Sequence, residues 1–334
     1  MSWNVLLTAS ALAETGRAAL ELLRHAGCKI TPPDSAGSSP PGSRLALLPD
    51  CDAVIAGVDK FSAAVLASPA ASRLKIISRW GVGFDSVDVS AATQNGIVVC
   101  NTPGLLDEAV ADYSFALLLA LARQIHAGHT IMQSGDWKQS WGCDVHGKTL
   151  GLIGCGRIGR AVARRAAGFN LRVLAADSNA RSGAGTSAIQ FVSLEELLAT
   201  SDFVSLHAPL TPENRDLIGE TQLRKMKPSA LFINAARGPL VDEAALARAL
   251  REGWIAGAAL DVFCQEPLPA DHPLRTAPNL LLTPHQASFA RDTGERVSRA
   301  AAQAILDLLQ GRRPQFVVNP EVFASPALRV PIPA

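Results

Sequence analysis

The sequence predicts an α/β protein of two domains, each a doubly wound parallel sheet with helices on both faces, and three observations predict it. Short apolar runs alternate with helical patterns along most of the 334 residues. These runs are nearly continuous rather than alternating with polar residues, as in parallel strands that are buried on both faces. The length also suits about two domains of roughly 150 residues each.

The first block begins with a strand and a helix. VLLTAS (5–10) is a short apolar run, and residues 12–27 carry apolar side chains at helical spacing and end on Gly27, a typical C-cap. Proline, glycine and serine dominate residues 32–43, which predicts a loop. Three further apolar runs predict strands: CDAVIAGV (51–58), LKIIS (74–78) and IVVC (97–100).

After Lys148 the alternation of apolar runs and helical patterns becomes more regular, with a predicted helix between most of the runs. Ser193 and Glu196 form a capping box, and Asp242 and Gly253 cap a further helix. Six such strands match the dinucleotide-binding Rossmann fold. They are TLGLIG (149–154), RVLAAD (172–177), DFVSLHAP (202–209), ALFINAA (230–236), GAALDVF (257–263) and NLLLTPH (279–285).

The end of the chain carries little chemistry. Residues 291–310 have a helical pattern, and we expect them to return to the first block because the six-strand sheet is complete by His285. The proline-rich residues that follow are expected to be irregular and to lie on the surface.

Composition excludes several classes of protein. The net charge of +1 provides no electrostatic footprint for nucleic acid or an anionic membrane. The longest apolar stretch is too short to cross a membrane, which takes roughly 18 residues. The six cysteines include no C-x-x-C pair and no zinc-type cluster, so we expect reduced thiols, no metal site and a cytoplasmic protein.

The glycine motif at 154–159 predicts a dinucleotide site. Gly154, Gly156 and Gly159 form G-x-G-x-x-G after a strand and before a helix, where a pyrophosphate can meet the helix N-terminus. Asp177 closes the next strand about 20 residues on, where a carboxylate bonds the ribose hydroxyls and repels a 2′-phosphate. The motif therefore predicts NAD rather than NADP, and the nearby Arg181 is the one base that could weaken this preference.

Polar residues also cluster where the predicted strands end. Because ligands bind beyond the carboxyl ends of parallel strands, such residues suggest one site rather than scattered structural roles. They are Gly154, Asp177, His207, Arg237, Asp261 and His285.

Three side chains at this edge could perform proton transfer on an acid. Arg237 provides a planar cation for a carboxylate, His285 is suited to general acid/base chemistry, and Glu266 could hold the histidine's tautomer. Taken singly, Arg237 could be a surface arginine, His285 a structural histidine and Glu266 an ordinary loop acid. Beside a nicotinamide, the three together would make a hydride-transfer site.

Five ordered motifs make the chain resemble the D-isomer-specific 2-hydroxyacid dehydrogenase family. They are GKTLGLIGCGRIGRAVARR, HAPLTPENRDLIG, INAARGPLVDEAAL, AALDVFCQEP and TPHQAS, and the likeness runs from about residue 50 to Pro320. The resemblance implies an NAD-binding Rossmann domain at 102–288 inserted in a discontinuous substrate domain at 1–101 and 289–334. It also implies a homodimer through the NAD domain, with the apolar helix 105–123 covered by the partner.

The resemblance also implies roles for individual residues. Arg237 would bind the 2-oxo acid, Glu266 would pair with His285, and His285 would give or take the proton. The backbone amides around Val82 and Gly83 would hold the substrate carboxylate. The cofactor would contact the three motif glycines and Arg157, Ile158, Asp177, His207, Pro209, Ala235, Ala236 and Asp261, with Asp261 on the nicotinamide side.

The substrate stays open among several 2-oxo acids. Arg79 resembles an arginine of D-3-phosphoglycerate dehydrogenases and would then bind a phosphate, although it could equally be structural, and Gln94 stands where some of those enzymes have a second arginine. Trp80, beside Val82, is expected to narrow or cap the pocket. We rank a phosphoglycerate-like acid first, then hydroxypyruvate or glyoxylate, then a bulkier 2-oxo acid. A different class, an NAD-sensing co-repressor that keeps the same motifs, is the alternative to an enzyme.

Two cysteines lie near the expected site. Cys155 is in the glycine motif and Cys264 is close to Glu266. Oxidation-sensitive roles are conceivable at both positions, but inert thiols are the simpler hypothesis.

Overall fold

In the computed structural model, which describes residues 2–33, 42–178 and 188–332, the chain forms two compact units. The first unit comprises Met1–Leu106 and Ser288–Ala334, and the second comprises Asp107–Ala287. The division predicted from the sequence falls at 101/102 and 288/289, whereas the first long helix of the second unit begins at Asp107.

The first unit is built on a parallel sheet of five strands in the order β2-β1-β3-β4-β5. Its strands are β1 (Asn4–Leu7), β2 (Lys29–Thr31), β3 (Ala53–Ala56), β4 (Ile76–Arg79) and β5 (Val98–Cys100). The helices between them are α1 (Leu12–Thr15), α2 (Arg17–His25), α3 (Ala63–Leu66) and α4 (Val89–Gln94). The single helix predicted over 12–27 is thus divided at Gly16.

The second unit is built on a parallel sheet in the order β12-β11-β10-β9-β6-β7-β8. Its strands are β6 (Thr149–Ile153), β7 (Arg172–Ala176), β8 (Gln190–Phe191), β9 (Phe203–Leu206), β10 (Leu231–Asn234), β11 (Gly257–Leu260) and β12 (Leu280–Leu282). The prediction of six strands missed β8, because a strand of two residues has no periodicity to detect.

Helices cover both faces of this second sheet. They are α5 (Asp107–Ala122), α6 (Ile125–Gln133), α7 (Arg157–Ala166), α8 (Leu194–Thr200), α9 (Glu220–Lys225) and α10 (Glu243–Glu252). One apolar cluster joins the sheet to α5 and α7, and another joins it to α8, α9 and α10. Near-continuous apolar strands require this double cover, and the predicted fold class of two Rossmann-like parallel-sheet domains is confirmed.

The last helix, α11 (Arg291–Leu309), belongs to the first unit, as expected. Side-chain hydrogen bonds attach the residues after α11 to the rest of the first unit. The fully buried Asn319 accepts a hydrogen bond from Val99 N at 2.8 Å and donates to Ile97 O, and Arg329 donates to Leu74 O at 2.8 Å. The tail is otherwise irregular and largely exposed, as predicted, apart from one helical turn at Pro320–Ala324.

Among the described residues, no helix is both long enough and apolar enough to cross a membrane.

Candidate active site

Three neighbouring parallel strands of the second unit bring the predicted catalytic side chains to one edge. β10 pairs with β11, and β11 pairs with β12, all in parallel register. Arg237 follows β10, Glu266 lies in the loop after β11, and His285 follows β12. Because parallel strands end on the same side of a sheet, residues far apart in the sequence share this edge.

His285 and Glu266 form a hydrogen-bonded pair. Nδ1 of His285 lies 2.7 Å from Oε2 of Glu266. The other carboxylate oxygen, Oε1, accepts a hydrogen bond from Phe263 N at 3.0 Å, which fixes the carboxylate plane. A carboxylate at Nδ1 places the transferable proton at Nε2, and the histidine is 37% exposed, so solvent or a ligand can reach it.

A buried carboxylate holds the loop that carries His285. Asp261 is fully buried and accepts hydrogen bonds from Thr283 Oγ1 at 2.6 Å, Gln286 N at 3.0 Å and Ala287 N at 2.8 Å. Burial raises the pKa of Asp261, and these three donors oppose that effect. Contact of Asp261 with a nicotinamide stays a prediction, since what the structure records is its support of this loop.

The backbone that carries Arg237 is held by Asn234, the last residue of β10. Asn234 is 1% exposed; its Nδ2 donates to Arg237 O at 2.9 Å, and its Oδ1 accepts from Ala236 N at 2.9 Å. Arg237 itself is half-buried, and its Nη1 donates to Ala236 O at 2.6 Å. Ala235 and Ala236, expected to contact the cofactor, therefore lie in a fixed turn at the same edge.

The glycine motif has room for a ligand only at its second glycine. Gly154 has φ +91°, and a Cβ there would come within 2.7 Å of His207 O, while a Cβ on Gly159 would come within 2.4 Å of Gly154 O. A Cβ on Gly156, just before α7, would meet no atom within 4 Å. The first and third glycines thus permit close packing, and the second leaves the approach to the helix N-terminus open, which fits a pyrophosphate. Arg157 and Ile158 open that helix.

Asp177 follows β7 beside this motif. Its Oδ2 accepts a hydrogen bond from Cys155 N at 2.7 Å, so the carboxylate is held close to the glycine turn. This position fits the expected contact with a ribose. Arg181, the base expected to modify that contact, lies outside the described residues.

His207 lies beneath the glycine motif at the end of β9. Its Nε2 lies 2.8 Å from Oγ of the buried Ser205, and its N donates to Ile153 O at 2.7 Å. Burial lowers the pKa of His207 to about 4, so the ring is neutral near pH 7. The His207 backbone packs against Gly154, its contact with a cofactor stays a prediction, and the exposed Pro209 follows two residues later.

Residues 78–88 of the first unit, here called the substrate loop, include the amides of Val82 and Gly83 that are expected to hold the substrate carboxylate, and hydrogen bonds to backbone carbonyl groups fix this loop. Arg79, which is 8% exposed, donates from Nη1 to Ala56 O at 2.9 Å and from Nε to Gly83 O at 3.1 Å. Asn101 Nδ2 donates to Val82 O at 2.8 Å, and Thr102 N donates to Gly81 O at 3.0 Å. With the carbonyls turned toward the protein, the amides of Val82 and Gly83 are the donors through which this loop could bind a carboxylate.

The guanidinium of Arg79 thus supports the substrate loop. These bonds do not favour the expected role of Arg79 as a phosphate ligand. Trp80 is also committed to its own unit, because Nε1 donates to Ser298 Oγ at 2.9 Å and the ring lies 5.6 Å from that of Phe289.

The two cysteines near the site hold protonated thiols. Burial is the main cause that raises the pKa of Cys155, and burial with the neighbouring Glu243 raises the pKa of Cys264 to about 12. The hypothesis of a buried, inert thiol fits Cys155, whereas the Cys264 side chain is exposed and only its raised pKa favours an inert thiol there.

Sequence reasoning missed the side chains that hold these loops. Each is a polar residue at or just after the end of an apolar strand, which is a detectable signal, but the partner of each lies elsewhere. They are Asn101, Thr102, Ser205 and Asn234.

Comparisons with known proteins identify the relatives of this chain. The family model described as "D-isomer specific 2-hydroxyacid dehydrogenase, NAD binding domain" matches residues 115–287. A glyoxylate reductase of Korarchaeum cryptofilum is 46% identical over 294 residues, which cover 85% of this chain and 88% of that protein.

Solved structures agree with this family match. The TT0316 protein of Thermus thermophilus is 41% identical with a TM-score of 0.85, covering 94% of this chain and 99% of that one. An NAD-dependent formate dehydrogenase of Staphylococcus aureus, solved in complex with NAD, is 29% identical with a TM-score of 0.84, covering 95% and 99%.

Proposed function

We propose that this chain, which belongs to the D-isomer-specific 2-hydroxyacid dehydrogenase family, reduces a small unphosphorylated 2-oxo acid of the glyoxylate type. Membership makes the protein an NAD-dependent oxidoreductase that acts on the CH–OH group of a D-2-hydroxy acid. The observation that carries the proposal is the His285–Glu266 pair, which lies at the same sheet edge as Arg237.

The proposed reaction moves one hydride and one proton. NADH, held by the glycine motif and Asp177 when it is bound, would supply the hydride for the carbonyl carbon of the acid. His285 gives the proton at Nε2 to the carbonyl oxygen, and the Glu266 carboxylate at Nδ1 stabilises the charged ring before transfer. Arg237 binds the substrate carboxylate as a cation.

The choice of a small acid reverses the ranking made from the sequence. Arg79 was the residue that favoured a phosphorylated substrate, and its guanidinium donates to two backbone carbonyls of its own unit. The relative from Korarchaeum cryptofilum is named a glyoxylate reductase, not a phosphoglycerate dehydrogenase. Both observations support glyoxylate or hydroxypyruvate over 3-phosphohydroxypyruvate.

The test is NADH oxidation, followed at 340 nm, with a panel of acids: glyoxylate, hydroxypyruvate, pyruvate, phenylpyruvate and 3-phosphohydroxypyruvate. We expect the highest kcat/KM with glyoxylate or hydroxypyruvate. A clear preference for the phosphorylated acid would overturn the substrate proposal. Tight NADH binding without turnover of any acid would instead favour the sensing, non-enzymatic class.

We also propose NAD rather than NADP as the cofactor. The support is the Asp177 carboxylate, which is held 2.7 Å from Cys155 N beside the glycine turn. A carboxylate in that position repels a 2′-phosphate.

A homodimer through the second unit is a further proposal, with a corrected surface. The apolar helix α5 needs no partner to cover it, since Phe115, Leu118 and Leu121 pack into the core of their own unit. The exposed apolar side chains lie instead on α6 and just after it, at Ile125, Met132, Trp137 and Trp141. An exposed apolar cluster of this kind suits a second copy of the chain.

We place the enzyme in the cytoplasm. The support is that all six cysteines are unpaired, which is typical of proteins kept in a reducing compartment.

A further inference from the structure

Glu243, the first residue of α10, lies against the loop that follows β11. Its Oε1 accepts a hydrogen bond from Cys264 N at 2.7 Å, and its Oε2 lies 3.3 Å from Nε2 of His272. The Glu243 side chain is only 10% exposed. A carboxylate so far withdrawn from water needs hydrogen-bond donors, and both of these donors come from the same loop.

The hydrogen bond at Nδ1 of His272 indicates which ring nitrogen carries the proton. Nδ1 accepts a hydrogen bond from Leu274 N at 3.3 Å, so the neutral ring carries its proton on Nε2 and donates it toward Glu243. Arg275 holds the same loop, because it donates to Pro269 O and to Leu268 O, each at 2.7 Å. Glu243 therefore contacts a loop that is ordered by several specific bonds.

This loop carries Glu266. Cys264 comes two residues before Glu266, and Phe263 N donates to Glu266 Oε1 at 3.0 Å. On the other side, a Cβ on Gly238 would come within 1.9 Å of the Phe263 carbonyl carbon, so the backbone there packs directly on the residue after Arg237. The segment that aims Glu266 at His285 is thus held between Gly238 and Glu243.

We propose that Glu243 is a positioning residue for the Glu266–His285 pair: its bond to Cys264 N fixes the backbone from which Glu266 reaches the histidine. The role depends on the reach of the side chain rather than on its charge. This inference rests on the proposed function, because the pair matters for catalysis only if His285 transfers a proton.

Two conservative variants separate reach from charge. Glu243→Asp keeps the charge at the start of α10 but is one methylene too short for Cys264 N. Glu243→Gln loses the charge but keeps an oxygen that can accept this bond. We expect the kcat for glyoxylate reduction to fall on the order of 10–100-fold in Glu243→Asp, because misplacing a catalytic group by about 1 Å has effects of this size. Glu243→Gln should stay within about threefold of wild type, and both should keep the Kd for NADH.

Glu220→Ala is the matched control, since Glu220 also begins a helix of the second unit and pairs with the arginines of α9 and α10. It should keep kcat. If α10 merely needed a negative charge at its start, Glu243→Gln would be the impaired variant and Glu243→Asp would be normal. That outcome, or an equal loss in Glu220→Ala, overturns the inference.

Hydrogen exchange of the peptide 261–268 provides a readout that does not require turnover. The amide of Cys264 should exchange faster in Glu243→Asp and at the wild-type rate in Glu243→Gln. If the wild-type protein reduces none of the acids, the proposed function fails, while the exchange rates still test Glu243. An unchanged exchange rate in Glu243→Asp overturns the inference.

Discussion

His285 has a backbone φ of +51°, a conformation that few residues other than glycine adopt. Such a conformation persists where the surroundings determine it, and here Asp261 O accepts from His285 N at 2.7 Å while the Asp261 carboxylate binds the two amides that follow. The backbone of the proposed proton donor is therefore set by a buried neighbour, and its side chain is set by Glu266.

His285→Ala should lower kcat by about 10²–10⁴-fold, the usual range for loss of a general acid. NADH binding should persist, because three strands (β11, β10 and β9) separate β12 from β6 and its glycine motif in the sheet. Steady-state kinetics and NADH fluorescence titration measure the two effects. The exposed histidine of α6 supplies the control, since His129→Ala should change neither value. Turnover within a few-fold of wild type would rule out the role of His285.

Asp177→Asn should narrow the preference for NADH over NADPH, because it removes the charge that repels a 2′-phosphate. The asparagine oxygen can still accept the bond from Cys155 N, so the glycine turn keeps its support. We expect the ratio of kcat/KM values for the two cofactors to fall about 10-fold, which corresponds to roughly 1.4 kcal/mol. Asp177→Ala, which also loses the bond, is the comparison. An unchanged ratio in both variants would count against the assignment of Asp177.

Helix α6 and the residues after it carry large apolar side chains that are exposed. Trp137 is 81% exposed and Trp141 is 95% exposed, although tryptophan is normally well covered. By contrast, α5 is buried by its own sheet and by α7. A helix that is apolar all round needs cover, but the sequence does not say whether the same chain or another provides it.

The doubly substituted variant Trp137→Ser/Trp141→Ser should therefore shift the protein from dimer to monomer. Analytical ultracentrifugation should show the wild-type chain at about twice 35.1 kDa and the variant near the single-chain mass. Val58→Ser removes an apolar side chain of the first unit that is 54% exposed and should leave the mass unchanged. A monomeric wild-type protein would refute the proposed dimer.

The whole molecule repeats one structural device in its two units. Asp52 precedes β3 and accepts a hydrogen bond from Asn4 N at 2.9 Å, and Asp202 precedes β9 and accepts one from Thr149 N at 2.9 Å. A lysine also pairs with each carboxylate, Lys75 with Asp52 and Lys227 with Asp202. In both sheets a carboxylate therefore joins the amino ends of three adjacent strands.

This device predicts how stability depends on pH. Burial opposes ionisation of Asp52, but the bonds from Lys75 and Asn4 outweigh it and hold the pKa of Asp52 below its ordinary value of 3.8. The unfolded chain thus takes up the proton first as the pH falls. The stabilisation is complete above about pH 5 and is lost as the pH falls through the lower pKa of the folded state.

Asp52→Asn should lower the free energy of unfolding by about 1–3 kcal/mol at pH 7, measured by urea denaturation. The difference from wild type should shrink toward zero in acid, where the wild-type carboxyl is protonated as well. Asp50→Asn is the control, because the Asp50 side chain is 82% exposed and its 3.7 Å contact with Arg73 is long for an ion pair. Urea curves that stay equally far apart from pH 7 to acid would contradict this account.

Local patterns of the sequence were sufficient for the strands, the glycine motif and the strand-end side chains. Apolar runs and helical spacing are set by neighbours a few residues apart, and the glycine spacing follows from one turn between β6 and α7. The order of polar residues along the chain also predicted one edge, because parallel strands all end on the same side. The two-residue strand β8 was missed, and so were the hydrogen bonds by which Asn319 and Arg329 hold the tail, since neither has a local pattern.

Motifs and strand patterns were thus enough to predict the fold class, the family and the candidate catalytic residues Arg237, Glu266 and His285. Other roles could be read only from the folded chain: Arg79 supports the substrate loop of its own unit, and α5 packs into the core of its own unit. Contacts of this kind can join residues that are far apart along the chain. A hydrogen bond such as that from Arg79 to Ala56 O joins residues whose proximity depends on sheet order, which no local pattern of side chains encodes.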